Sequence, residues 1–459
     1  MIHTYKLNGY NIVLDVASGS VHCVDDVAYD VINAYENTDR EAIVREVSAK
    51  YGISADDVRD CLSDVDELKA EGTLFSEDTF KPNVDALAKR DTVVKALCLH
   101  VAHTCNLNCE YCFASQGKYH GERALMSYEV GKRALDFLIE NSGTRRNLEV
   151  DFFGGEPLLN FEVVKKLVEY ARSAEEKAGK HFRFTLTTNG MNLDDDVIDF
   201  ANREMDNVVL SLDGRREVHD RFRKTAGGQG SYDIIVPKFQ KFVKARGDKS
   251  YYMRGTFTHL NPDFTNDLQA MLDLGFDELS MEPVVCPPTD SYALTEEDKA
   301  VVLKEYEKLA DMMISREKAG KPFTFYHYML DLESGPCIYK RISGCGSGTE
   351  YLAVTPAGEL YPCHQFVGNK DYLMGDIWQG VTRTDIRDKF KRCNAYSRKE
   401  CDGCWARLYC SGGCAANAFN ATGDVNGVYT YGCDLFKKRI ECAIMLKISA
   451  LCTTDLQSK

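Results

Sequence analysis

The sequence predicts an α/β protein built on a partial (β/α)6, TIM-like barrel. A small winged-helix-like module precedes the barrel and a Cys-rich region comes after it. Three observations predict this. Between residues 95 and 282, strand-like runs alternate with helical stretches, and repeated strand–helix units imply parallel strands joined by crossovers. Residues 1–75 hold short apolar strands followed by helix-patterned segments. Residues 326–459 hold 11 of the 18 cysteines.

Taken in order, HTYKL and YNIVLD flank Asn8-Gly9, a hairpin signal, and VHCV follows a turn at Ser18-Gly19-Ser20. Val27, Val31, Ile32 and Tyr35 then recur at helical spacing. Asp39 is placed to cap a second helix, and a third is expected over 55–70. This module carries 6 Lys/Arg against 15 Asp/Glu, a net −9. A DNA-binding winged helix is expected to be basic. The acidic charge reads either as a solvated face or as a site for a basic peptide, which an edge strand could take by strand addition. Residues 76–94 are polar and read as a linker.

The barrel, placed at 95–325, is expected to have strands at 95–101, 148–153, 182–188, 207–212, 251–257 and 278–282. Helices are expected at 127–141, 161–178, 194–204, 231–245 and 262–273. Chemistry in such folds sits at the C-terminal strand ends. The last region, 326–459, is rich in Gly and Cys.

Composition sets bounds on function. With 459 residues, 44% hydrophobic and 27% charged, the chain can bury a sizeable core. A net charge of −14 argues against non-specific nucleic-acid binding. No apolar run approaches the about 20 residues of a membrane span, and the N-terminus lacks a secretory apolar region. A cytoplasmic setting is expected, where thiols stay reduced. The cysteines therefore point to metal binding or catalysis.

Cys105, Cys109 and Cys112 lie in HTCNLNCEYCFA, just after the first barrel strand, as C-x3-C-x2-C. Three thiolates from one loop can converge on one inorganic centre. Structural zinc and four-iron clusters both usually take four protein ligands, so three leave one position open for chemistry. A zinc loop or three buried thiols is the plainer alternative. With Tyr111 before the third cysteine, the motif resembles that of the radical S-adenosylmethionine (SAM) enzymes. The resemblance implies that the fourth iron of a [4Fe-4S] cluster is chelated by SAM, whose reductive cleavage yields a hydrogen-abstracting 5′-deoxyadenosyl radical. The protein places and shields that cofactor.

Further motifs sit at successive strand ends. Gly154-Gly155-Glu156-Pro157 resembles the family's GGEP motif, which implies a grip on the SAM amino group; glycine permits close backbone approach. Asn189, in TTNG, is implied to contact SAM. Ser211 and Asp213, in SLDG, are implied to lie near the ribose and adenosyl group, and Arg223 to meet the SAM carboxylate. Glu282-Pro283 is the weakest match. The three loop cysteines are the expected catalytic centre.

A second constellation runs Cys345-x12-Gly358-x4-Cys363, then Cys401-x2-Cys404-x5-Cys410-x3-Cys414, then Cys433. On spacing alone a zinc ribbon is open. The whole pattern resembles the SPASM extension of radical SAM maturases, which implies two auxiliary [4Fe-4S] clusters, three clusters in all. Cys345, Cys363 and Cys414 are implied to hold the first, and Cys401, Cys404, Cys410 and Cys433 the second. Cys337 is the candidate to close the first cluster; otherwise an open iron could bind a substrate thiolate, lowering its pKa and fixing its sulfur. The other cysteines are isolated and read as small buried hydrophobes; for Cys98, in a predicted barrel strand, and Cys286, just beyond one, facing the active site is the alternative.

The N-terminal module resembles leader-peptide recognition elements. Together with CGSGTEYLAVTPAGELYPCHQFVG, the chain resembles the maturases of SCIFF peptides (six cysteines in forty-five residues) along nearly its whole length. The resemblance implies thioether crosslinks in a Cys-rich precursor with a leader, and a one-electron reductant such as ferredoxin or flavodoxin. The alternatives are a sulfatase-maturating enzyme, which would need a carboxylate base the sequence does not identify, and a non-catalytic iron–sulfur or zinc scaffold.

Overall fold

The computed structural model describes residues 1–89, 93–333 and 336–457. Positions 90–92 of the expected linker, and 334–335 and 458–459 of the C-terminal region, lie outside the described residues.

Strands β1 (Ile2–Leu7), β2 (Tyr10–Asp15) and β3 (Val21–Val24) form an antiparallel meander. Asn8 and Gly9 both take positive φ at the first turn, as a tight hairpin requires. Helices α1 (Asp26–Ala34), α2 (Arg40–Tyr51) and α3 (Ala55–Ala70) come next. Asp39 caps α2 by accepting from the Ala42 N–H. Val31, Ile43, Val58 and Leu62 close a core confined to residues 2–75. The meander also docks on the far C-terminus. His3 stacks on Trp405 at 3.8 Å and lies 3.0 Å from the Glu441 carboxylate, while the Tyr5 hydroxyl donates to the Glu441 carbonyl.

The barrel strands are β4 (Ala96–His103), β5 (Asn147–Gly154), β6 (His181–Thr188), β7 (Asn207–Ser211), β8 (Tyr251–Phe257) and β9 (Glu278–Pro283). Each pairs in parallel with the next in sequence. Along β5, β6 and β7, buried and less buried residues alternate. One face packs on helices such as Phe161–Ala178, and the other lines the barrel interior. The interior face carries His100, Asp151, Thr185, Arg254 and Glu282.

The sheet does not stop at the barrel edge. Strand β10 (Tyr351–Val354) pairs in parallel with β4, with Tyr351 opposite Ala96. Strands β11 (Glu359–Tyr361), β12 (Gly375–Asp376) and β13 (Gly380–Val381) continue it antiparallel. One hydrophobic core therefore takes in Tyr5, Ile12 and Leu14 of the meander and runs from Val94 to Ile448, across the expected boundary at 326. Two long helices that the sequence pattern did not reveal, Glu296–Lys318 and Thr430–Gln457, pack on each other. No helix among the described residues is long and apolar enough to cross a membrane.

Candidate functional site

The loop leaving β4 carries Cys105, Cys109 and Cys112 to the C-terminal end of the barrel. A backbone step locks it there: Gly155 N–H donates to the Ala102 carbonyl at 2.7 Å and Glu156 N–H to the Thr104 carbonyl at 2.9 Å. A side chain at 155 has no room, since its Cβ would stand 2.1 Å from the Thr104 oxygen. Cys105 accepts from the Leu107 N–H at 3.4 Å and from Asn189 Nδ2 at 3.5 Å. Burial first, then Glu156 and the other two thiols, pushes free Cys105 up to about 12; burial likewise pushes Cys109 up to about 11. Cys109 and Cys112 lie near enough to add to the rise at Cys105, as Cys112 does at Cys109.

Glu156 stands at the end of β5, 1% exposed. It accepts from Leu158 N–H at 3.0 Å, Thr188 Oγ1 at 2.8 Å and Asn189 N–H at 2.8 Å. All three donors are neutral, and no cation pairs with it among the described residues. Burial pushes its carboxyl up to about 7, against these hydrogen bonds. A buried carboxylate without a counter-ion is costly, so the site fits an ammonium-bearing ligand. Asn189 accepts from Met191 N–H at 3.0 Å and donates to Asn106 Oδ1 at 2.8 Å, joining the β6 end to the cysteine loop.

Asp213, just past β7, is fully buried and accepts from four donors. These are the Tyr111 hydroxyl, Arg223 Nε at 2.9 Å, Arg223 Nη2 at 3.1 Å and Thr256 N–H at 3.0 Å. Arg223 ends the short helix Arg216–Phe222, and its side chain is 12% exposed. Burial alone would lower its guanidinium, but Asp213 and Tyr111 hold it charged. His219, pushed down to about 4 by burial, accepts the Asp213 N–H, and Ser231 joins it to the Arg223 carbonyl. Arg223 Nη1 keeps no protein partner among the described residues. Ser211 closes β7 opposite Arg254.

The structure also gathers the C-terminal cysteines. Burial first, then the neighbouring Cys414 and Cys345, raises the Cys363 thiol, and burial first, then Cys345, raises Cys414. Cys410, pushed up to about 12 by burial, stands with Cys433, Cys401 and Cys404. Cys337 is exposed at the start of the helix Ile338–Ser343. Cys98 is buried within β4 beside Asp151, and Cys286 lies beside Asp290. Among the described residues, no three His, Cys, Asp or Glu side chains are drawn together as for one metal ion. The all-thiolate donor sets suit iron–sulfur ligation.

Glu282 sits on the sixth strand, 3.1 Å from His327, 3.8 Å from Arg254 and 3.9 Å from Arg439. Burial would raise its carboxyl, but His327, Arg254 and Arg439 hold it down at about 2. The partners of Glu156 and Asp213 were not legible in sequence; Tyr111 and Thr188 carry no motif signal that pairs them with these carboxylates.

Residues 99–274 match the family model of the radical SAM superfamily. The chain is 22% identical over 372 residues to the radical SAM cyclopropyl synthase TigE of Paramaledivibacter caminithermalis, covering 75% of this chain and 72% of that protein. It is 26% identical over 366 residues to a cysteine-type anaerobic sulfatase-maturating enzyme of Clostridium perfringens, covering 74% and 93%. The solved structure of native anSMEcpe with bound AdoMet and Cp18Cys peptide superposes with a TM-score of 0.63 at 23% identity, covering 78% of this chain and 99% of that one.

Proposed function

We propose, from a chain whose residues 99–274 are a radical SAM domain, that this enzyme installs thioether crosslinks in a ribosomally made, Cys-rich precursor of the SCIFF type. The observation that carries this reading is the N-terminal module. It has a core of its own, and β1 is docked against the C-terminal helix, which leaves β3 paired only to β2 among the described residues. An unpaired strand edge suits an extended leader peptide, and the module's acidic charge suits a basic one. About a fifth of this chain lies outside its match to the anSMEcpe structure, a share the size of the module and linker.

Reductive cleavage of SAM at a four-iron cluster would supply the hydrogen-abstracting radical, and clusters on the C-terminal cysteines an outlet for the remaining electron. The residues have separable tasks. Cys105, Cys109 and Cys112 would hold three irons. Glu156 would take the SAM ammonium and the free Nη1 of Arg223 its carboxylate. Asn189 would orient the cofactor beside Cys105, and Ser211 would face the ribose. Asp213 acts through Arg223 and Tyr111, since its oxygens are already engaged. Cys345, Cys363 and Cys414 would hold the first auxiliary cluster, with its fourth position left to Cys337 or a substrate thiolate. Cys401, Cys404, Cys410 and Cys433 would hold the second.

A second reading, formylglycine formation on a sulfatase, is favoured by the 93% coverage of the sulfatase-maturating enzyme. It needs a carboxylate base near the reacting carbon. At the barrel mouth Asp213 is tied by four donors and Glu282 is held ionised at about 2, a poor proton acceptor. Asp151, pushed up to about 7 by burial, lies deeper, opposite Cys98. The deciding experiment supplies reduced enzyme and SAM with a Cys-rich precursor, with and without its leader, and with a sulfatase peptide. Loss of two hydrogens per crosslink, only with the leader, is the expected result. Turnover of the sulfatase peptide alone would overturn the thioether reading.

The Glu156 environment also predicts a pH dependence. Its folded pKa lies above the unfolded value, so the SAM-free protein loses stability as pH rises from about 4.5 to about 7. SAM affinity should run the other way, falling about tenfold per pH unit below 7 as Glu156 protonates. Calorimetric titration across this range should show the slope, and Glu156→Gln should flatten it while weakening binding throughout.

A further inference from the structure

Arg398 precedes Cys401 by three residues and is 2% exposed. Its hydrogen bonds go to neutral groups. Nε donates to the Gly427 carbonyl at 2.9 Å, and Nη2 to the Val425 carbonyl at 2.9 Å and to Cys393 Sγ at 3.0 Å. The Cys393 thiol itself donates to the Val425 carbonyl at 3.2 Å, so it keeps its proton and acts as a tether. No Asp or Glu pairs with Arg398 among the described residues. A buried guanidinium without a countercharge costs several kcal/mol, so some negative group must face it.

The remaining nitrogen shows where that group is. Nη1 rests against Gly412, and a Cβ there would stand 2.3 Å from it. Gly412 lies in the three-residue link between Cys410 and Cys414, one cysteine from each C-terminal set. Arg398 is also tied to the second set directly, since the Cys401 N–H donates to the Arg398 carbonyl at 3.0 Å.

We propose that Arg398 is a positive charge shared between the two C-terminal metal centres, which sets both to a higher reduction potential than they would otherwise have. This rests on the reading that these cysteines hold four-iron clusters. A cluster ligated by thiolates is net negative and becomes more so on reduction. A fixed cation in a dry interior therefore stabilises the reduced state more than the oxidised one. Arg398 is a positioning residue for charge. Gly412 has a φ of +81° that itself favours glycine, and a side chain there would also push against the guanidinium.

The test is a redox titration of the reconstituted full-length protein, monitored by electron paramagnetic resonance. Arg398→Gln is expected to move both C-terminal centres to more negative potentials and to leave the centre on Cys105, Cys109 and Cys112 where it is. Arg398→Lys, which keeps the charge, is expected to retain most of the wild-type potential. Gly412→Ala is expected to shift in the same direction as Arg398→Gln. Unchanged potentials in Arg398→Gln at full iron content overturn the proposal, as does an equal shift in Gln and Lys. If Arg398→Gln does not load its iron, unchanged potentials in Gly412→Ala overturn it. Wild-type protein with about four irons per chain in place of about twelve would overturn the cluster reading itself, and this inference with it.

Discussion

In Cys105→Ala, formation of 5′-deoxyadenosine from SAM is expected to fall to background. The thiol lies in the loop pinned by the Gly155–Ala102 and Glu156–Thr104 hydrogen bonds, and it receives two N–H donors of its own. Those donors suit a thiolate. Two remaining cysteines cannot present a cluster with one open iron. The loss should exceed the about 10–100-fold caused by removing a mere outer partner from a metal site. Chromatographic quantification of 5′-deoxyadenosine, with iron and sulfide counted on the same sample, checks it. Cleavage equal to wild type would refute the assignment of this loop.

Cys414→Ala should behave differently. Cys414 starts the helix Ala415–Thr422 and neighbours Cys345 and Cys363. Its loss breaks the first C-terminal set and leaves Cys105, Cys109, Cys112, Glu156 and Arg223 untouched. The variant is expected to retain measurable 5′-deoxyadenosine formation but to yield no crosslinked peptide by mass spectrometry. It should also lose up to about four irons. Full crosslinking by this variant would remove the C-terminal cysteines from the chemistry.

Much of this was legible because the signals are local. The six barrel strands lie within about two residues of their expected bounds, since alternation along β5 and β6 is a period-2 pattern one can read off the chain. The α3 helix spans the expected 55–70 because Ser54 and Asp57 form a reciprocal cap. The cysteine sets were marked by their spacing and the family pattern it matches. Strand β10 was not foreseen: four residues in a Gly- and Cys-rich stretch carry too little pattern, and its pairing with β4 spans some 250 residues. Nor were the partners of Asp213, which come from Tyr111 on the cysteine loop and Thr256 on β8. Arg398 belongs to no spacing pattern. Only its burial without a countercharge marks it.

That β4–β10 pairing bears on how such a protein can be divided. All eight residues of β4 are buried, and its edge away from β5 is covered by β10. A chain ending near residue 325 would leave that edge bare over Ala96–Leu99, a template for intermolecular pairing. The barrel is thus not a portable part that can be expressed without the C-terminal third. A barrel cut from that third is expected to pair with copies of itself along the exposed edge, so the two are to be engineered together.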